Sequence, residues 1–196
     1  MSSSRAVAIR PLDLSNVLVA DLPRGRLGSA RSDTRLVALP ADLLDALVEQ
    51  HASAPGRGAG DLVGALAPAL VTDARVVLGE AVDPSPDDVA YAVSVAFATR
   101  GFGLAAFERW GDALVFVWRD PPCRGGAFRD LAASLAARVV GELTGIDIHG
   151  AVVTAGDDAL RVLLASAETC ALARDLGRQG QGLGAVLDQL SPGASA

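Results

Sequence analysis

The stretch from Ser85 to Thr154 constrains the fold more than any other part of the chain. Ser85-Pro86-Asp87-Asp88 is a helix start. Serine is a preferred cap, proline at the first helical position loses no bond, and the carboxylate three residues on can return a hydrogen bond. Val89, Val93, Ala96 and Phe97 then recur on one helical face, and Gly101-Phe102-Gly103 ends the run. Leu104–Trp110 and Ala113–Asp120 are strand-like runs joined at Trp110-Gly111-Asp112, which predicts a tight hairpin. The second run is apolar on both faces, with Leu114, Phe116 and Trp118 opposite Val115 and Val117, as a central strand requires. Pro121-Pro122 stops it. Phe128, Leu131, Leu135, Val139 and Leu143 next trace a helix over Ala127–Leu143, with Ala132, Ala136 and Val140 widening its apolar stripe. Ile146–Thr154 and Ala159–Ala165 predict a second hairpin around Ala155-Gly156-Asp157-Asp158. The fold class is therefore α+β: an antiparallel sheet of two hairpins covered by helices.

The flanks are less patterned. Residues 1–38 read as a largely irregular arm, with Asn16–Ala20 and Leu36–Leu39 compatible with short strands. Pro40 opens a helix in which Leu43, Leu44, Leu47 and Val48 share a face. A second apolar helix covers Asp61 to Leu70, weakened by Gly64 and Pro68, and Ala74–Leu78 suits either a strand or its continuation. Ala167–Leu176 reads as helix, Leu183–Leu190 as a further helix, and Ser191–Ala196 as a frayed tail. Residues 39–190 thus form one domain, of ordinary size for a single core.

Composition decides what that core is made of. Apolar residues reach 51% but aromatics only 4%, so Ala, Val and Leu must fill it. All 17 basic residues are arginine, which reads as GC-rich bacterial coding bias more than as selected guanidinium chemistry. Residues 1–38 carry six arginines against three acids, and the remainder eleven against twenty, giving +3 beside −9. Such a body is ill suited to nucleic acid, whose phosphates need clustered cations. The arm, through Arg24, Arg26, Arg31 and Arg35, is better matched to docking on an acidic body, its own or a second copy's. No run approaches the ~20 apolar residues of a membrane span, and no signal-peptide pattern opens the chain. With two isolated cysteines, the expectation is a cytoplasmic protein.

Nothing in the sequence assembles a catalytic constellation. Gly56-Arg57-Gly58-Ala59-Gly60 lacks the preceding strand and following Lys-Ser/Thr of a phosphate loop, and Asp61 places a negative charge at the helix start. His51 and His149 have no companion at ligand spacing, so no metal or other cofactor is expected. Cys123 reads as an exposed-loop thiol beside Arg124, and Cys170 as a small core residue on the face opposite Arg174. Trp118 reads as core. Trp110, at the hairpin bend, suits either a staple or an exposed interaction anchor.

The run Thr99–Pro122, with Gly101-Phe102-Gly103 and Trp110-Gly111-Asp112 at its turns, resembles the centre of vinyl-reductase-type small-molecule-binding domains. It is also similar to the D subunit of bacterial cellulose synthase, and the likeness spans roughly residues 40–166. The resemblance implies a binding or scaffold protein and transfers no site residue. Ligand-binding members carry cysteines near their last strands. Val152–Ser166 has none, so no cysteine-held metal is implied.

The leading expectation is a non-enzymatic, self-associating accessory protein. Its support is the missing catalytic groups, the Ala-rich helix faces and the oppositely charged arm. Cellulose synthesis, within a larger bacterial assembly, is its most concrete form. The alternative is a sensor for an apolar small molecule, with Phe107, Phe116 and Trp118 lining the pocket.

Overall fold

A computed structural model describes residues 5–6, 18–21, 23, 26–29, 35–36, 40–54, 56, 58–80, 83–110, 113–123, 125–155, 159–181 and 184. Four short strands, β1 (Arg5–Ala6), β2 (Leu18–Asp21), β3 (Arg26–Ser29) and β4 (Arg35–Leu36), lie in the arm. They are followed by α1 (Ala41–Ser53), α2 (Ala59–Leu78), α3 (Pro86–Thr99), β5 (Leu104–Trp110) and β6 (Ala113–Arg119). The chain continues through α4 (Gly126–Thr144), β7 (His149–Ala155), β8 (Ala159–Ala165) and α5 (Ala167–Arg178). The expected helix over Leu183–Leu190, Gly184 apart, and the tail Ser191–Ala196 fall outside the described residues.

The two hairpins build one antiparallel sheet in the order β1-β5-β6-β8-β7, and the arm adds a separate sheet β2-β3-β4. β6 is central, as its two apolar faces require: Phe116 pairs Phe107 on one side and Val162 on the other. β1 borders β5 through Arg5↔Arg109, leaving β7 as the opposite edge. On the first face α3 lies over β5 and α4 over β7 and β8, while α2 packs against both helices. On the second face α5 covers β7 and β8. The two cores follow from the two-residue period of the strands. Phe116 and Trp118 enter the first with Phe97, Leu135 and Val139, and Val115 and Val117 enter the second with Leu163, Cys170 and Leu176.

α3 has the cap that its sequence announces. Ser85 Oγ accepts from the Asp88 N–H at 3.2 Å and the Ser85 N–H donates to Asp88 Oδ2 at 3.3 Å. α2 continues unbroken past Gly64 and Pro68 and absorbs Ala74–Leu78, because packing against two helices outweighs a local proline penalty.

Two helix faces need comment. Leu43, Leu44, Leu47 and Val48 share a side of α1 but are unequally buried. α1 docks on α4 through the side bearing Leu44 and Val48, while Leu43 and Leu47, rotated off that line, stand 45% and 46% exposed. The Ala-rich face of α4 is also no association surface, since Ala132 and Ala136 are fully buried against the domain's own sheet and helices. Among the described residues, no helix is long and apolar enough to cross a membrane.

Candidate ligand-binding site

All five phenylalanines of the chain and Trp118 converge on the first face of the sheet. Phe97 comes from α3, Phe102 from the turn after it, Phe107 from β5, Phe116 and Trp118 from β6, and Phe128 from α4. Their rings touch in one continuous cluster. Phe97 meets Trp118 edge-on at 5.0 Å, Phe107 meets Phe116 at 5.4 Å, and Phe128 meets Trp118 at 5.2 Å. Such tilted and T-shaped pairs set the positive edge of one ring against the negative face of another. Trp118 is completely buried, and its indole N–H donates to the Phe102 carbonyl. That bond satisfies the one polar atom of the side chain in an otherwise apolar site.

Local geometry holds the rings in place. Gly101 and Gly103 have φ of +74° and +82°, so the chain leaves α3 through two left-handed positions that present Phe102 inward between them. Phe102 N–H donates back to the Phe97 carbonyl at 2.9 Å, which closes the turn. Arg100 grips Asp73 of α2 by two bonds, Nε–Oδ2 at 2.6 Å and Nη2–Oδ1 at 3.2 Å, with Asp73 only 8% exposed. This pair ties α2 to the end of α3 beside the cluster. Phe102 and Phe107, each 8% exposed, are the least deeply buried members of the cluster.

The three residues named as pocket lining, Phe107, Phe116 and Trp118, are therefore brought together, packed ring against ring. Trp110 is half-buried, its indole N–H donating to Glu108 Oε2 at 2.9 Å, and Glu108 also faces Arg161 at 3.7 Å. Of the arm arginines, Arg26 and Arg35 lie in β3 and β4, and Arg24 and Arg31 fall outside the described residues.

The cysteine reading changes. Cys123 is not exposed but 3% accessible, folded under α1 beside Asp45. Burial first, then the neighbouring carboxylate, push its thiol up to about 12, the reverse of an activated nucleophile. Native protein at pH 8 is accordingly expected to resist iodoacetamide at Cys123, while urea-unfolded protein reacts. Rapid native labelling of Cys123, read by peptide mass, contradicts this placement. Cys170 is buried as expected, and burial raises its thiol as well, yet Arg174 lies near it and not on an opposite face.

The same corner holds a feature that the sequence concealed. Gly125 precedes α4 at the cap position and offers no side-chain cap; Glu49 of α1 supplies one, its Oε1 accepting from the Ala127 N–H at 3.2 Å. His51 stands 3.9 Å from Asp61 and His149 3.7 Å from Asp147. Among the described residues, no group of three or more His, Cys, Asp and Glu side chains is arranged to hold a metal ion. An open groove of about 710 Å³ lies outside edge strand β7 between α4 and α5, and none of the aromatic cluster lines it.

No family model and no curated protein sequence matches the chain. Among solved structures, it is similar to the phenol-responsive sensory domain of the transcription activator PoxR, determined with phenol. The identity is 15% and the TM-score 0.58, over 86% of this chain and 94% of that one. At that identity the likeness is one of fold. It agrees with the resemblance to small-molecule-binding domains and lends none of its weight to the cellulose-synthase subunit.

Proposed function

We propose that this domain is a non-enzymatic small-molecule sensor that takes a compact apolar ligand, of about the size of one aromatic ring, into the Phe/Trp118 cluster. The observation that carries the reading is the concentration of the chain's few aromatic rings. In a core otherwise built from Ala, Val and Leu, five Phe and Trp118 share one site under α3 and α4. The fold it shares with a domain that responds to phenol adds support. Entry proceeds past Phe102 and Phe107, the two least deeply buried rings of the cluster. Inside, a ligand ring replaces ring–ring contacts edge to face. A ligand hydroxyl exchanges with the Trp118 N–H to Phe102 carbonyl bond, accepting from one and donating to the other.

Thermal unfolding tests this. A ligand held at 100 times its Kd stabilises the folded state by about 2.7 kcal/mol, which raises Tm by about 5–10 °C in a chain of this length. Phenol, toluene and benzyl alcohol are expected to give shifts of that order at saturation, and glucose none. A panel of small aromatic and aliphatic apolar compounds that leaves Tm unmoved contradicts the proposal.

Self-association is retained as a second reading because Leu43 and Leu47 lie one turn apart on the outer side of α1, both close to half exposed. Light scattering at tens of micromolar is expected to give at least twice the 19.9 kDa chain mass, falling in the Leu43→Ser/Leu47→Ser variant. A monomer at that concentration removes this reading and leaves the sensor proposal intact.

A further inference from the structure

We infer that the groove outside β7 receives an extended acidic segment of a partner polypeptide, which joins the sheet as an added strand. β7 pairs with β8 on one side, and among the described residues no strand pairs with its other side. An unpaired edge presents a row of backbone donors and acceptors to any extended chain that can reach it. Here the edge forms the floor of the groove through Val152, Val153 and Thr154, all half-buried. The pairing steps from Val152↔Val162 to Thr154↔Arg161, so Val153 is an extra residue that twists the edge.

The walls come from opposite faces of the sheet. α4, which packs in the first core, contributes Arg129, Asp130 and Ser134, and α5, which packs in the second, contributes Arg174 and Arg178. The groove therefore straddles the sheet edge, where an added strand would lie. Gly126, Gly177 and Gly180 also line it, and a side chain built on any of them would meet nothing within 4 Å, whereas one on Gly150 would strike the Ala133 backbone of α4, so the walls close at Gly150 and leave space beyond it.

Charge decides the partner. Three arginines face one acid in this groove, a local excess of positive charge on a body of net −9. Arg174 Nη2 donates to the Gly150 carbonyl at 2.8 Å, which closes the start of the edge and leaves pairing to the residues beyond. Arg178 contacts Asp175 at 3.0 Å on the surface, and the guanidinium of exposed Arg129 has no hydrogen-bond or ion-pair partner among the described residues. A second copy's β7 would bring the same three arginines against these, and the chain's own arm has a net charge of +3. Both have the wrong sign. An acidic strand alternating carboxylates with β-branched residues satisfies the walls and the floor together.

The test is selection from a displayed library of random decapeptides on the full chain, followed by fluorescence anisotropy with the enriched sequences. Enrichment in Asp or Glu at alternate positions is expected, with binding weakened at least tenfold by Arg129→Glu/Arg178→Glu and by proline placed within the peptide. Both arginines are exposed, so the variant keeps the fold. Amide exchange at residues 152–154 should slow on binding. The inference is overturned by peptides without acidic bias or indifferent to the variant, by protection elsewhere, or by inorganic phosphate or citrate displacing the peptide as well as a second peptide does. Protection of residues 152–154 that depends on protein concentration, without peptide, makes the occupant a second copy and overturns it too.

Discussion

Replacing Trp118 with alanine is expected to remove about 3–5 kcal/mol of unfolding free energy, read from the shift of the urea midpoint at constant slope. The side chain is fully buried and touches Phe97, Phe102, Phe116 and Phe128, so its loss leaves a cavity walled by rings from three elements and a turn. Those rings are held by the backbones of α3, α4 and β6 and can close the space only in part. Trp118→Phe separates packing from polarity. It keeps a ring in place but leaves the Phe102 carbonyl without its donor, at about 1–3 kcal/mol. A loss below about 1 kcal/mol for the alanine variant would mean that the cluster is not the keystone of the first core.

Gly103→Ala is expected to cost about 3 kcal/mol or more, from two independent sources. Its φ of +82° strains any residue with a Cβ. That Cβ would also stand 2.2 Å from the Asp120 carbonyl oxygen and 2.5 Å from that of Arg119, both backbone atoms that cannot swing aside. Gly101→Ala is the internal control. With φ +74° and nothing within 4 Å, it carries the strain alone and should cost about 1–2 kcal/mol. Equal losses for the two variants, measured by the same denaturation, would show that the close approach of Gly103 to the end of β6 is absent.

These two positions also mark what could be read from the residues and what could not. The hairpins were legible because period-two runs and short polar turns are local signals. The central place of β6 followed from its being apolar on both faces. Phe107, Phe116 and Trp118 could be named as one site because they alternate on paired strands. Phe97, Phe102 and Phe128 could not be joined to them, since α3, its exit turn and α4 meet only through tertiary packing. Long-range polar contacts were hidden for the same reason. Glu49 caps a helix 78 residues away, Asp73 and Arg100 are 27 apart, and Arg174 reaches Gly150 across 24. The burial of Cys123 is not legible because a loop after Pro121-Pro122 reads as exposed, and only the tertiary docking of α1 covers it. The exposure of Leu43 and Leu47 is not legible in the sequence, because a helical stripe shows which residues share a side, while its partner's width decides how many are covered.

The most direct measurement for the central claim is a phenol titration followed by two-dimensional 1H–15N NMR, watching the Trp118 and Trp110 indole N–H signals together. Trp118 donates into the cluster and Trp110 to Glu108 outside it, so the pair reports site against surface. The account predicts a saturable shift of the Trp118 indole signal, with the Phe102 and Phe107 amides moving alongside and Trp110 nearly still. An unmoved Trp118 signal at saturating phenol and at saturating toluene, or shifts confined to the β7 groove, would contradict it.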